Sequence, residues 1–204
     1  MELVFRPATL ADIPALREIT GDEPSAEQIG VSGGDVNKAR RFRALAMASV
    51  AGPGGVPRTT VAVAGDDVVG LLQAGPEVGE RVTPSLAWGV IRIFGPLGVG
   101  GFLRRDRIRA KVYLAPPPGT YHIAELHVSS ARRNLGIGAG LLAEGERQAR
   151  AAGFPAMSLT TTTDNPARHL YERFGFVLAE TSTDPAYLAL TGIDGRVLMV
   201  KPLG

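Results

Sequence analysis

The sequence predicts an α+β fold, a sheet of about six to seven strands flanked by helices. Three observations carry that expectation. Two apolar runs, Thr59–Ala64 and 68–74, flank Gly65-Asp66-Asp67, a hairpin signal. From Tyr121 onward, strand-like and helix-like patterns alternate with short connections. Between the first such strand and helix lies a glycine-rich junction, Arg133-Asn134-Leu135-Gly136-Ile137-Gly138-Ala139-Gly140.

The elements follow in order. Residues 3–6 read as a short strand. Thr9, with Asp12 three positions later, makes an N-terminal cap signature ahead of Ile13, Leu16 and Ile19. Residues 35–50 have helical character, with Val36, Ala39, Phe42 and Ala46 near one side and Lys38, Arg40, Arg41 and Arg43 elsewhere; Gly52-Pro53-Gly54-Gly55-Val56-Pro57 ends them. After the hairpin come a strand at Tyr121–Val128, a helix over 137–152 closed by Gly153 and Pro155, a strand at Ala156–Thr162, a helix over 166–174 and a strand over 176–180. In the second helix Asn165 suits the cap, Pro166 the first turn and Gly175 the position after the last. A final strand, 196–201, follows the turn Gly192-Ile193-Asp194-Gly195. Residues 20–58 are loosely patterned, and 76–119 form a long insertion between the third and fourth strands.

Composition narrows the function classes. With 204 residues, 45% of them hydrophobic and 21% charged, the chain reads as one globular domain over 1–204. The absence of cysteine excludes disulfides, a thiolate nucleophile and cysteine-ligated metal. Residues 1–7 lack the basic start and long apolar core of a signal peptide, so a cytoplasmic location is expected. A net charge of +2 gives no field of the size nucleic-acid binding needs, despite a pI near 9.2.

The glycine-rich junction is built to hold an anion. A helix start leaves N–H groups without partners and carries about half a positive charge from the macrodipole, so phosphate oxygens find donors and field together. The dinucleotide fingerprint and the P-loop both fail on spacing, because no lysine follows Gly138 and the unit lies late in the chain. What remains is Arg-x-x-Gly-x-Gly preceded by Glu125-Leu126-His127-Val128. This pattern resembles the pyrophosphate loop of the GNAT superfamily of N-acetyltransferases. A second stretch, Asn165-Pro166-Ala167-Arg168-His169-Leu170-Tyr171-Glu172-Arg173-Phe174-Gly175-Phe176, resembles the segment that follows that loop in the family. Arg6-Pro7-Ala8-Thr9 and Val68-Val69-Gly70 resemble its opening and third strand, less specifically. Asn134 stands where many members carry glycine, and Ser129 or Ser130 where many carry proline.

The resemblance implies a mixed, mostly antiparallel sheet and acetyl-CoA as co-substrate. It implies that Arg133, Asn134, Leu135, Gly136, Ile137, Gly138 and Ala139 cradle the diphosphate. The main chain of Leu126, His127 and Val128 pairs with the pantetheine arm, Asn165 contacts that arm, and Tyr171 lies near the sulfur. The expected activity is direct transfer of the acetyl group to a primary amine of a small molecule or peptide, with no metal. Transfer of another acyl group, a non-catalytic acyl-CoA sensor and a protein binding the phosphates of ATP or NAD stand as alternatives.

Such a transfer needs a neutral amine, a place for charge on the carbonyl oxygen and a proton for the leaving thiolate. Tyr171 is the candidate acid, against plain packing beside Phe174. Glu125 is the candidate base, acting directly or through water, against an ordinary ion pair with an arginine. Strict alternation along Tyr121–Val128 sets Tyr121, Ile123, Glu125 and His127 on one side, so His127 stands as an alternative base. His122 and His127 fall on opposite faces and His169 on another element, which disfavours a metal site.

The insertion is nearly apolar over 86–103, then basic at Arg104, Arg105, Arg107, Arg109 and Lys111. Arg92, Pro96 and five glycines argue against a membrane span. A lid over the acceptor site or a dimer contact is favoured over membrane contact, and a homodimer over a monomer.

Overall fold

In the computed structural model, which describes residues 2–21, 23–48, 51–76 and 84–204, the apolar runs pair into one seven-stranded sheet. The strands are β1 (Val4–Pro7), β2 (Thr59–Ala64), β3 (Asp67–Pro76), β4 (Tyr121–Val128), β5 (Ala156–Thr162), β6 (Val177–Thr183) and β7 (Gly195–Pro202), in the order β1-β2-β3-β4-β5-β7-β6. Only β4 and β5 run parallel. The helices are α1 (Ile13–Thr20), α2 (Ala26–Val31), α3 (Val36–Met47), α4 (Pro84–Ala110), α5 (Ile137–Ala151), α6 (Arg168–Arg173) and α7 (Pro185–Thr191). The expected mixed, mostly antiparallel sheet is thus present, with the insertion between β3 and β4 largely helical. Positions 49–50 at the end of the expected 35–50 helix, and 77–83 at the start of the insertion, lie outside the described residues.

The sheet is covered on both faces. On one, Ile137, Leu141 and Leu142 of α5 pack on Ala62, Leu72, Ile123, Met157 and Leu159, all nearly inaccessible. Each such buried aliphatic side chain contributes about 2 kcal/mol. On the other, Leu16 of α1 packs on Val61 and Leu71. The α1 start is fixed by the signature read in the sequence: one carboxylate oxygen of Asp12 accepts from the N–H and hydroxyl of Thr9, at 2.6 and 2.9 Å. Arg6 of β1 closes on the same carboxylate with two bonds of 2.8 Å.

Several boundaries differ from expectation. Two short helices, α2 and α7, go beyond the sequence reading; Ser25 exchanges bonds with Gln28 to start α2, and Asp184 accepts from Ala186 and Tyr187 to start α7. α6 begins at Arg168 rather than 166, because Asn165 makes a side-chain turn onto Ala167 N–H at 2.9 Å before the helix opens. Within the insertion, α4 has α2, α3 and α7 as its main neighbours.

The Arg6–Asp12 pair gives a stability test. Arg6, through its hydrogen bonds, holds the Asp12 carboxyl well below the usual carboxylate range, so the contribution is full above about pH 4 and fades as pH falls toward the depressed value. Asp12→Asn is expected to lower unfolding stability at pH 7 by about 2 kcal/mol, with a smaller gap at pH 3, measured by urea denaturation at both.

Candidate functional site

The site begins where two strands part. β4 and β5 pair through Tyr121↔Met157, His122↔Ser158 and Ile123↔Leu159 and no further, although β4 runs on to Val128 and β5 to Thr162. The unpaired end of β4 therefore offers main-chain groups to the gap, and Leu126, His127 and Val128 line the cavity that fills it. That cavity, about 1610 Å³, is closed by the start of α5 at one end and by α1 at the other.

Its anion-binding end follows from backbone geometry. Gly136 holds φ 79°, a left-handed conformation that caps α5, and Asn134 holds φ 63° two residues earlier. Asparagine tolerates that region better than other side chains, which explains how it replaces glycine there. The first helical bond of α5 runs from Gly140 N–H to Gly136 O at 3.0 Å, so the preceding N–H groups of Ile137, Gly138 and Ala139 have no helical acceptor. All three residues line the cavity, as do Arg133, Asn134 and Gly136; Leu135 does not, and is half exposed. Gly138 lies inside α5, and a Cβ there would meet Leu170 of α6 at 3.0 Å.

At the far end, a bulge re-aims the chemistry. The β3–β4 register steps from Gln73↔Glu125 to Ala74↔Ile123, leaving Ala124 as an extra, exposed residue on β4. The expected row of Tyr121, Ile123, Glu125 and His127 is therefore broken. Tyr121 and Ile123 face α5 with Leu126 and Val128, whereas Glu125 and His127 pair in register with Gln73 and Leu71 and share Leu71's α1-side face. There Nε2 of His127 lies 2.8 Å from a Glu125 carboxylate oxygen. Glu125 thus pairs with a histidine, not an arginine, and it is His127 that borders the cavity.

Tyr171 enters from α6, its ring 6.1 Å from that of Phe176 and its side chain largely buried. Burial first, and the Glu125 charge second, push its phenol up to about 12. Asn165 lines the cavity too, but its amide already donates to Thr161 at 2.6 Å.

Sequence reasoning missed one polar chain beside the site. His122 Nδ1 lies 3.0 Å from Ser158 Oγ, which lies 2.7 Å from Thr120 Oγ1. Burial holds the His122 imidazole down to about 4. Among the described residues, no group of three or more His, Asp or Glu side chains is placed to hold a metal.

Known proteins share this fold. The family model described as "Acetyltransferase (GNAT) family" matches residues 54–176. A Corynebacterium glutamicum structure described as histone acetyltransferase HPA2 and related acetyltransferase superposes with a TM-score of 0.64 at 23% identity, covering 99% of this chain and 97% of that one. A mosquito arylalkylamine N-acetyltransferase like 5b gives 0.58 at 20% identity, with 98% and 100% covered. A PaiA N-acetyltransferase from Thermoplasma acidophilum, solved in complex with coenzyme A, gives 0.57 at 12% identity, with 99% of each chain covered. No curated protein sequence matches.

Two outcomes test this geometry. Because His122 is held neutral in the folded state while the unfolded chain takes up a proton near pH 6.5, stability is expected to fall from there toward pH 4; histidine NMR should place its midpoint at about 4, well below an exposed imidazole. Gly136→Ala forces a side chain into the left-handed region and is expected to cost about 1 kcal/mol in thermal unfolding.

Proposed function

Because the chain belongs to the GNAT acetyltransferase family, we propose that it is a single-domain enzyme moving the acetyl group of acetyl-CoA directly to the primary amine of a small molecule or peptide. The observation that carries this reading is the parting of β4 from β5 onto a cavity that runs from the free N–H groups of α5 to the Glu125–His127 pair. The diphosphate fits the α5 start, where Ile137, Gly138 and Ala139 supply donors and Arg133 a charge. The pantetheine amides fit the unpaired β4 edge at Leu126–Val128, as an added strand would.

The roles follow from position. His127 is the base, because it borders the cavity while Glu125 stands behind it. With Nε2–H donating to Glu125, Nδ1 is the acceptor for the amine proton. Glu125 is the positioning residue. The amine nitrogen then attacks the thioester carbonyl; the C–N bond forms, and the C–S bond breaks to release CoA thiolate. Tyr171 stays protonated at neutral pH and donates a hydrogen bond to the departing sulfur. Full proton transfer is unnecessary, since a thiolate whose thiol has a pKa of about 8.5 leaves readily.

Calorimetry with acetyl-CoA, CoA, ATP and NAD is the first test. Both CoA species are expected to bind, and Arg133→Ala to weaken them about tenfold, the loss of one charge-assisted contact; a protein that binds neither is not an acetyltransferase. With an accepted amine in hand, His127→Gln is expected to lower kcat about a hundredfold or more, with CoA affinity kept. Glu125→Gln gives a smaller loss, and Tyr171→Phe lowers kcat with CoA affinity kept.

A further inference from the structure

The inserted helix α4 is two arms rather than one rod. Gly95 holds φ 70° and ψ 165° just before Pro96, outside any helical conformation. The rings of Phe94 and Phe102 lie 4.4 Å apart, although eight residues of straight helix would separate them by about 12 Å. The arms 84–94 and 96–110 therefore fold toward each other with Leu97 beside the bend. Their inner side is anchored: Ile93, Phe94 and Phe102 pack with Val31 of α2 and with Phe42 and Leu45 of α3, and Arg105 donates to Val31 O at 2.8 Å.

Their outer side is left uncovered by the described residues. Trp88 is 62% exposed, Leu97 99% and Leu103 45%, with Ile91 close behind. On the second arm Leu97, Leu103, Arg104 and Arg107 recur at helical spacing and share one face; on the first, Trp88, Ile91 and Arg92 do so. Arg92, Arg104 and Arg107 are exposed and have no carboxylate partner among the described residues, while Asp106, the one acid of α4, is held by Arg109 at 2.8 Å. By length and composition Leu86–Ala110 passes for a membrane-crossing helix. A soluble core helix that passes the same test is mostly buried, yet only 17% of the most apolar stretch here is buried.

A span is excluded by the bend. The arms reach roughly 16 and 22 Å, short of the roughly 30 Å hydrocarbon core, and Gly95 would leave backbone groups unpaired in lipid. A second copy of this face is disfavoured, because a two-fold contact sets the face against itself. Three unpaired cations would meet with no free carboxylate on the same surface among the described residues.

We propose that the outer faces of the two arms dock the protein on an anionic membrane surface. Leu97, Trp88, Ile91 and Leu103 enter the interfacial layer, and Arg92, Arg104 and Arg107 meet lipid phosphates. This is independent of the acetyltransferase reading and stands or falls by itself.

The test uses the full chain and vesicles of phosphatidylcholine with and without about 30% phosphatidylserine. Trp88 is the only tryptophan, so its emission reports the docked face directly. The expected result is co-sedimentation with the anionic vesicles, a blue shift of Trp88 on binding and little binding to phosphatidylcholine alone. Leu97→Glu, at an almost fully exposed site, should weaken binding at least tenfold with the melting curve unchanged. Replacing all three arginines by glutamine should weaken it by more, at about fivefold per arginine. Absence of co-sedimentation, or binding with no shift of Trp88, overturns the proposal. A lipid-free dimer that Leu97→Glu splits overturns it too, and assigns the face to a second copy.

Discussion

Everything the site does depends on β4 and β5 staying paired for three residues and then separating. A fully paired sheet would leave no main-chain donors or acceptors for a ligand in its middle, because central strands spend them on each other. Here the separation exposes the edge of β4 inside the molecule, where helices on both faces shield it from pairing with other chains. The gap persists because each strand is secured elsewhere: β4 by its full-length pairing with β3, β5 by its full-length pairing with β7. The α5 start then closes one end of the gap with unpaired N–H groups, so what that end offers a ligand is largely backbone. Side chains there, Leu135 included, are free to point away.

How much of this was legible in the sequence varies by element. β4 and β5 were bounded to the residue, and α5 to within one, because their patterns are long and their ends are marked by Gly136, Gly153 and Pro155. The cavity wall was equally legible: of the residues expected at the cofactor site, all but Leu135 line it. Periodicity cannot register helices of six or seven residues, which complete barely two turns, so α2 and α7 went unread. Their caps were nevertheless on the page, as Ser25 with Gln28 and Asp184 with Pro185. The break in α4 was visible as Gly95-Pro96, but the partner of each arm was not, because the apolar pattern of 86–103 runs all the way round.

The bulge at Ala124 is the costliest illegible feature. The sequence Tyr-His-Ile-Ala-Glu-Leu-His-Val alternates well enough to read as a regular strand, and nothing local marks the extra residue. One added residue turns every later side chain to the opposite face. It places Glu125 and His127 toward α1 instead of burying them against α5, where unpaired charge would be expensive. It also leaves Leu126 and Val128 to fill the α5 side that the two polar residues vacate.

A single carboxylate bears on two side chains of the site. Glu125 raises the Tyr171 phenol, adding to the effect of burial, so the hydroxyl holds its proton and remains a donor. The same carboxylate lies 2.8 Å from Nε2 of His127, which fixes the orientation of that ring at the edge of the cavity. It is the bulge at Ala124 that turns Glu125 and His127 to the α1-side face together, so that the carboxylate is paired where it stands.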